Sequence, residues 1–457
     1  MADVLNGLVQ TTNVSVRSNS DLVGEVESAA AKDDRRREEK LGKAGPLRRK
    51  PKLSPILEGA DGLQLTPWDI LHTLARALTL TRRGSARGLA EHWGSLKYSH
   101  ALTDEGKGLR GHMRLSAEAR GIAAASYKRI QSEELGIGFG LALAEHIMRR
   151  RKPDHMVSIV HADTALRAGW ALTSGDKGPR SGYQHRPLYF VEAWKPGEPS
   201  LVLPVDCRGN HGNAARSHQQ LAAGTARVES VHIGPWNLTP CLMFSTELNT
   251  KRPLTVHAVQ APGTGGRLGP LSENLDQRVE QRNNIPFIHP PTADGEPAES
   301  LPGFHIRPKD TEWFQRVLAH TAAAEAAAFS GDGKAASQYL TEQQGSRYFS
   351  AFVHAATGSV QDVDWEFLGT KFVGTEHIFR SNRDRVEVFS GVAESFFNLV
   401  RQGEVEQYRR EVYARRSEWP DRVWWDKEWG GPVSLRRDGS VLAIRPLALC
   451  SSDCRDS

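Results

Sequence analysis

A short stretch of the chain carries an acid, a spacer and a cation at the end of an apolar run. The run covers residues 201–205 and is followed by Asp206, Cys207 and Arg208. Residues i and i+2 of a β-strand project from the same face, so Asp206 and Arg208 are expected to lie side by side. The simplest interpretation is an ion pair at the end of a strand. A catalytic interpretation requires further polar groups at the same place.

Further carboxylates and amides occur where a fold could bring them towards this pair. They are Glu133 and Glu134 in a predicted helix, Asp163 after an apolar run, and Gln219 and Gln220 in the next predicted helix. A cluster of carboxylates provides the oxygen ligands that Mg²⁺ prefers. A bound Mg²⁺ would lower the pKa of a water molecule and stabilise charge on a phosphodiester. A nearby cation would neutralise charge that develops on the phosphate.

The order of these groups along the chain resembles that of the restriction-endonuclease-like, or PD-(D/E)xK, nuclease superfamily. That family carries a glutamate on a first helix, an aspartate after one strand, Asp/Glu-x-Lys on the next strand, and then a helix that often bears glutamine. The resemblance covers residues 116–260. It implies an α/β fold with a central mixed sheet flanked by helices, and a Mg²⁺-dependent DNA endonuclease or phosphodiesterase, such as a restriction or DNA-processing enzyme.

The resemblance also implies a role for each of these residues. The catalytic residues would be Glu134 (or Glu133), Asp163, Asp206, Arg208 and Gln219 (or Gln220), and Mg²⁺ would be bound by Asp163 and Asp206. Arg208 departs from the family pattern because it stands where lysine is usual. A guanidinium does not lose its proton in a protein, so Arg208 could orient or neutralise a group but could not act as a base.

The positive charge of the chain is concentrated in one segment. The net charge is +5, and residues 32–52 contain ten Lys or Arg against four Asp or Glu, so the rest of the chain is close to neutral. The segment is either a solvated, disordered linker or an arm that neutralises nucleic-acid phosphates. In the second case the residues expected to contact DNA are Arg48, Arg49, Lys50 and Lys52, with His211 facing the phosphate backbone near the site.

Cysteine content and hydropathy predict the cellular compartment of the protein, and cysteine spacing indicates whether a zinc site is present. The four cysteines, Cys207, Cys241, Cys450 and Cys454, are too few for a disulfide scaffold of 457 residues. No apolar run is long enough to span a bilayer, and the first residues do not resemble a secretion signal. The sequence therefore predicts a cytoplasmic protein with no membrane partner. Cys207 and His211 have the spacing of half a zinc site, but no second closely spaced pair accompanies them.

The length allows two or three domains. Composition and periodicity divide the chain into a disordered basic arm (1–60), a helical N-terminal region (61–115), a nuclease-like α/β core (116–260), a linker rich in Pro and Gly (261–303) and a smaller α+β C-terminal domain (304–457). Thr66 followed by Pro67 is typical of a helix start, whereas the glycines at 136 and 138 are expected to interrupt the long helical stretch of the core.

Three functions stay open at this point. The first is the Mg²⁺-dependent nuclease. The second is a non-catalytic DNA-binding protein in which Arg208 marks a decayed nuclease site. The third is a protein-interaction factor that uses the tryptophan-rich segment at residues 419–429, although clustered tryptophans more simply pack a subdomain. The sequence does not define the oligomeric state and leaves a homodimer open.

Overall fold

A computed structural model describes most of the chain and shows a mixed α/β architecture. The described residues are 2–41, 47–59, 62–81, 96–105, 111–120, 125–172, 185–234, 239–269, 275–289, 300–349, 360–381, 384–419 and 421–447. A large mixed sheet is flanked by helices on both faces. The predicted class, α/β with a central mixed sheet between helices, is confirmed.

The helices are α1 (Ala2–Leu8), α2 (Ser20–Leu41), α3 (Pro67–Leu78), α4 (Ala117–Arg120), α5 (Ala125–Arg151), α6 (Ala162–Arg167), α7 (Ala214–Glu229), α8 (Thr311–Phe329), α9 (Gly333–Gln338), α10 (Glu342–Phe349), α11 (Glu394–Gln402) and α12 (Val405–Ala414). The strands are β1 (Thr12–Arg17), β2 (Leu63–Leu65), β3 (Leu102–Glu105), β4 (His112–Leu115), β5 (Met156–His161), β6 (Tyr189–Trp194), β7 (Leu201–Asn210), β8 (Val231–Ile233), β9 (Cys241–Glu247), β10 (Thr255–Ala261), β11 (Phe287–Ile288), β12 (Leu301–Pro302), β13 (Phe304–Ile306), β14 (Val360–Phe367), β15 (Thr370–Ser381), β16 (Asp384–Ala393), β17 (Arg422–Asp426), β18 (Gly431–Leu435) and β19 (Ser440–Leu447).

The large sheet has the strand order β3-β4-β1-β10-β9-β7-β6-β5, with β2 paired to β1. β6 is antiparallel to both β5 and β7, β9 is parallel to β7, and β10 is antiparallel to β9. The connection from β7 to its parallel neighbour β9 passes through α7 and β8. Parallel neighbours require such a crossover, and this one places α7 against the face of β7 that carries Asp206.

The first sixty residues differ from the predicted disordered arm. β1 lies inside the large sheet, between β10 and β4. Leu5, Leu8 and Val14 belong to the main hydrophobic core. Leu22 and Val26 pack α2 against a cluster that includes residues of α7, β9 and β10. The sequence hid this role because most of the apolar residues of α2 lie in its first half, while nine of the eleven residues in its second half are charged.

α5 runs without interruption through its glycines, contrary to the expected break. A Cβ atom at Gly136 would lie 2.4 Å from the backbone of Arg208, and one at Gly209 would lie 2.1 Å from the carbonyl oxygen of Ser132. Helix and strand therefore meet at backbone contact, which no larger residue would allow. These glycines fix the distance between α5 and the strand that carries the candidate site.

The two faces of β7 contact different helices. On one face, Cys207 lies close to Gly140 of α5. On the other, Asp206 lies close to Gly224 of α7, where a Cβ atom would be 3.1 Å from the Asp206 Oδ2 atom. Arg208 shares this second face by strand alternation. Asp206 and Arg208 thus lie side by side, as the i, i+2 spacing predicts.

The C-terminal part contains a six-stranded antiparallel sheet with the order β14-β15-β16-β19-β18-β17. It contacts the α/β core through α3, where the Trp68 indole N–H donates to the Leu442 carbonyl oxygen at 3.0 Å. β13 pairs with β8 of the core region, so this second sheet begins at β14 rather than at residue 304. Trp419 and Trp429 are buried in its core. This burial favours the packing interpretation of the tryptophans.

Within the described part of the chain, no helix combines the length and the apolar character needed to cross a bilayer.

Candidate functional site

Asp206 is a buried carboxylate near the carboxyl end of β7, with 2% of its surface exposed. The Arg227 guanidinium of α7 donates from Nη1 to Asp206 Oδ2 at 2.9 Å, and Arg208 Nε lies 3.8 Å from the same oxygen. Asp206 Oδ1 has no hydrogen-bond partner among the described residues. The ion pair expected between Asp206 and Arg208 is present, but Arg227 is the closer cation. The contact with Arg227 was not predicted from the sequence.

Asp163 lies in the first turn of α6, just after β5. Its carboxylate accepts from Arg167 Nε at 2.6 Å and contacts Arg186 Nη2 at 2.6 Å. β6 separates β5 from β7 in the sheet, and neighbouring strands are about 4.8 Å apart, so the parent strands of Asp163 and Asp206 are about 10 Å apart. The two aspartates are engaged by different arginines.

The two glutamates of α5 face different surroundings. Glu134 is buried, and its Oε2 atom accepts from the Tyr98 hydroxyl at 2.7 Å and lies 2.7 Å from Lys97 Nζ. Burial and the neighbouring Glu134 raise the pKa of Tyr98 above its ordinary value. Glu133 is exposed and lines an open groove between α2, α5 and α7, which Arg208 also lines. The structure therefore brings Glu133, rather than Glu134, to the same groove as Arg208.

The two glutamines of α7 also differ in their contacts. The Gln220 amide donates to the Gly209 carbonyl oxygen at 2.8 Å, and its oxygen accepts from Ser245 Oγ at 2.6 Å. Gln219 is exposed and accepts from Arg216 Nη1 at 3.0 Å. Gln220 therefore helps to position the end of β7. Gln219 is the one of the two with an exposed amide beside the groove.

The carboxylates named from the sequence do not fit a shared Mg²⁺ site as they are arranged. Mg²⁺ requires oxygen ligands in a nearly octahedral array, and Asp163 and Asp206 could share an ion only by leaving their arginine partners. In the described residues, no group of three or more His, Cys, Asp or Glu converges as a metal site would require. Burial raises the pKa of Cys207, which disfavours a zinc-binding thiolate. Cys450 and Cys454 lie outside the described residues.

An open groove of about 460 Å³ lies beside Asp206, between α2, α5 and α7. We call it the α2–α7 groove. Its wall contains more cations than carboxylates. The cations are Lys32 and Arg36 of α2, Arg208 of β7, and Arg216 and Arg227 of α7, and the carboxylates are Glu25, Asp33 and Glu133.

Three of these cations are available to a ligand. Lys32, Arg36 and Arg216 are exposed, and none forms an ion pair with a described residue. Two of the histidines at or beside the groove do not add charge at neutral pH. Burial lowers the pKa of His218, with a smaller opposing effect from Glu25, and burial lowers the pKa of His257 to about 4. The positive charge of the groove therefore comes from lysine and arginine and is independent of pH in the physiological range.

A second groove, of about 400 Å³, lies at the end of β7 and includes His211, Lys128 and Lys251. Burial lowers the pKa of His211, although a hydrogen bond to the Lys128 backbone partly opposes this. His211 Nε2 has no partner among the described residues. His211 thus lies beside the half-buried Lys128 and the exposed Lys251, in a groove separate from the α2–α7 groove, and its contact with a phosphate backbone stays a prediction.

The basic residues assigned to the arm have mostly intramolecular partners. Arg48 and Lys50 contact the buried Glu229 at 2.8 and 3.3 Å, and Arg49 contacts Asp34 at 2.7 Å. The Lys50 side chain has no exposed surface. A phosphate could bind these three only by displacing such pairs. Lys52, the fourth of the predicted contacts, is exposed.

The groove cations on α7 could have been found from the sequence by helical spacing. Arg216, Gln220, Ala223 and Arg227 recur every three or four residues and so share one face of a helix. Lys32 and Arg36 are four apart in the same way, but α2 was not predicted.

No family model, no curated protein and no solved structure matches this chain.

Proposed function

We propose that the chain is a DNA-binding protein built on a restriction-endonuclease-like core, and that it holds phosphate groups in the α2–α7 groove without needing Mg²⁺. The observation that carries the proposal is the set of exposed, unpaired cations Lys32, Arg36 and Arg216 beside the strand that bears Asp206. Exposed cations without an ion pair can neutralise phosphates without leaving a carboxylate partner; Arg216 would at most exchange its hydrogen bond to Gln219.

The order of elements supports the family assignment within this proposal. α5, β5, β6, β7, α7 and β9 follow one another as a helix, three antiparallel strands, a helix and a strand parallel to the third. α6, between β5 and β6, and β8, between α7 and β9, are additions to this order, and β8 pairs outside the large sheet. The acid-x-cation pair on β7 and the glutamines on the helix that follows keep the family's order, but β6 lies between Asp163 and the strand of that pair.

The state of the acid-x-cation pair supports binding rather than cleavage. Asp206 is neutralised by Arg227 and Arg208, and Asp163 is neutralised by Arg167 and Arg186. Two carboxylates in separate ion pairs provide little free negative charge to attract a divalent cation. Arg208 and Arg227 also line the groove, and together they carry one more charge than Asp206, which suits an anionic ligand.

The test is fluorescence anisotropy with a labelled DNA duplex in EDTA and in Mg²⁺, over a range of salt concentrations. The groove variant carries Lys32→Gln, Arg36→Gln and Arg216→Gln. The matched control carries Lys309→Gln, Arg401→Gln and Arg410→Gln, three exposed cations of the C-terminal half. The groove variant should lower the slope of log K against log salt by about 2–3, because each lost phosphate contact removes about 0.9, whereas the control should match the wild type.

Equal binding by the groove variant and the wild type would exclude the groove as the DNA site. Absence of any binding at about 50 mM salt, where phosphate contacts are strongest, would exclude DNA binding altogether. Deletion of residues 1–60 is a poor test, because it removes β1 from the interior of the sheet.

Mg²⁺-dependent cleavage is the second candidate function. It is favoured by two observations: Asp206 Oδ1 has no hydrogen-bond partner among the described residues, and Glu133 lines the adjoining groove. Incubation with plasmid and Mg²⁺ decides between the candidates. Nicking by the wild type that is lost in Asp206→Ala supports the nuclease, and equal nicking by both proteins excludes this site.

A further inference from the structure

A second cluster of arginines surrounds a small enclosed cavity on the opposite side of the core from the α2–α7 groove. The cavity has a volume of about 90 Å³ and lies where α3, α5, β5, α8 and α12 meet the turn between β18 and β19. We call it the arginine cavity. Its charged lining residues include Arg76, Arg149, Arg409, Arg436, Arg437 and Glu325.

Two of the five guanidinium groups are held by carboxylates through both terminal nitrogens, although the buried Arg409 Nε has no hydrogen-bond partner among the described residues. Arg409 donates from both terminal nitrogens to the two oxygens of Glu192 at 3.2 Å, and both side chains are buried. Arg149 donates to Glu145 and to Asp421. These pairs hold the wall of the cavity together and offer little to a ligand.

The other three guanidinium groups keep N–H groups that no described residue satisfies. Arg76 donates from Nη2 to Asp438, but its buried Nη1 has no hydrogen-bond partner. Arg436 Nη1 lies 3.8 Å from its nearest carboxylate oxygens, and Arg437 Nε lies 3.8 Å from Asp421. These distances are too long for hydrogen bonds. Each of these three arginines lines the cavity and keeps an N–H group without a hydrogen bond to a described residue, while Arg436 Nη2 donates to the Asp69 carbonyl oxygen and to Thr73 Oγ1.

Five carboxylates contact the five arginines, but of these only Glu145 and Asp438 line the cavity itself, whereas Asp69, Glu192 and Asp421 are not among its lining residues. Glu145 accepts from Arg149, and Asp438 accepts from Ser440 and Arg76. Glu325 is buried, and it accepts a hydrogen bond from the His161 backbone N–H at 3.2 Å. Burial, partly opposed by Arg76, raises the pKa of Glu325 to about 8. At neutral pH Glu325 therefore keeps its proton and can act as a donor.

We propose that the arginine cavity binds a small oxyanion the size of inorganic phosphate or sulfate. Planar guanidinium groups match the spacing of oxyanion oxygens and form charge-assisted hydrogen bonds with them. The volume of about 90 Å³ is several times the roughly 10–15 Å³ that a single water molecule requires by the same measure. A small tetrahedral oxyanion therefore has room beside the guanidinium groups.

The bound anion would join the two halves of the molecule. Arg76 belongs to α3 of the core region, and Arg436 and Arg437 belong to the C-terminal sheet. A ligand that binds only the folded state stabilises it in proportion to the logarithm of its concentration over Kd. The anion should therefore raise the melting temperature as well as show binding heat.

The test uses the full chain, with inorganic phosphate and sulfate as probes, at millimolar concentration and constant ionic strength. Isothermal titration calorimetry and thermal melting are measured for the wild type and for Arg437→Gln, whose side chain is 39% exposed and so is the safest to change. Arg76→Gln is the second variant. Arg401→Gln, an exposed arginine elsewhere, is the matched control, and Arg216→Gln removes a cation of the α2–α7 groove.

The expected result is saturable binding of one phosphate, with a melting shift of about 1–3 °C, in the wild type, Arg401→Gln and Arg216→Gln. Affinity should fall at least tenfold in Arg437→Gln and in Arg76→Gln. Loss of the binding heat and of the melting shift only in Arg216→Gln would show that the anion binds in the α2–α7 groove, and this would overturn the proposal. No saturable signal in the wild type would mean that water fills the cavity, since general salt stabilisation does not saturate.

Discussion

The α2–α7 groove and the arginine cavity are both lined by arginines, but they use their charges in opposite ways. In the groove, Lys32, Arg36 and Arg216 are exposed and have no ion-pair partner in the described part of the chain. In the cavity, Arg409 and Arg149 are held by carboxylates. Exposed pairs contribute little to stability, whereas breaking a buried pair is costly. The comparison teaches that the groove presents cations free of ion pairs, whereas the cavity combines arginines that hold its wall together with arginines that keep unsatisfied N–H groups.

The largest expected effect is the loss of a buried pair in the cavity wall. Glu192→Ala leaves Arg409 without a partner at a site where both side chains are at most 4% exposed, so the free energy of unfolding should fall by about 3–5 kcal/mol. Urea denaturation measures this. Glu406→Ala breaks the exposed pair with the adjacent Arg410 and should cost less than about 1 kcal/mol. Similar losses for both variants would break the distinction between the two kinds of pair.

The second effect is a pH dependence that is confined to the cavity. The pKa of Glu325 is about 8 in the fold against an ordinary 4.5, so its contribution to stability is complete below pH 4.5 and is lost as the pH rises towards 8. Relative to Glu325→Gln, which does not titrate, the wild type should lose up to about 1.4 kcal/mol per pH unit in that window. Melting measured at several pH values tests this. Glu312→Gln, at an exposed position of the same helix, should show no such trend.

A third prediction concerns the carboxylate beside the groove. Asp206→Ala should reduce the free energy of unfolding by about 1–3 kcal/mol, because it removes a charge-assisted hydrogen bond from Arg227. DNA affinity should stay equal or rise, since a negative charge beside the groove is lost. Urea denaturation and anisotropy on the same preparation measure both quantities. A tenfold loss of DNA affinity in a folded Asp206→Ala protein would contradict the binding function proposed for the groove.

The smallest expected effects are those of changing the ion-paired Arg49 and the exposed Lys52. Arg49→Gln should cost about 1 kcal/mol of stability through the pairs with Asp33 and Asp34 and should leave the salt dependence of DNA binding unchanged. Lys52→Gln should leave stability unchanged and lower the log–log salt slope by at most about 1. A lower salt slope in Arg49→Gln, with stability unchanged, would support the interpretation of these residues as a DNA-binding arm.

Much of the core was predictable because periodicity is a local property. The apolar runs that became β5 and β7 were visible, and so was the start of α3, where Thr66 and Asp69 form a reciprocal cap. β1 was not predicted because it is six residues long with only two valines, and its partners lie far along the chain. Its burial depends on tertiary pairing, which overrides local composition.

The candidate site was predictable only in part, for the same reason. Strand alternation was enough to place Asp206 beside Arg208, but the approach of Arg227 depends on how α7 packs. The choice between Glu133 and Glu134 depends on the rotation of α5 about its axis. The separation of Asp163 from Asp206 depends on β6, which lies between their parent strands. Charge counts along the sequence do not reveal which arginines are paired.

The position of β1 has a consequence for synthesis on the ribosome. Its strand partner β10 follows at a separation of 240 residues, the same separation that the hydrogen bond from Ser18 to Ala258 spans. At about 5–20 residues per second, the first strand waits roughly ten to fifty seconds before its partner emerges. During that interval the unpaired edge of β1 and the apolar side chains of α1 and α2 are exposed to chaperones or to other nascent chains. Closure of the large sheet is therefore a late, long-range event, and slow folding with a contact order dominated by distant pairs is expected.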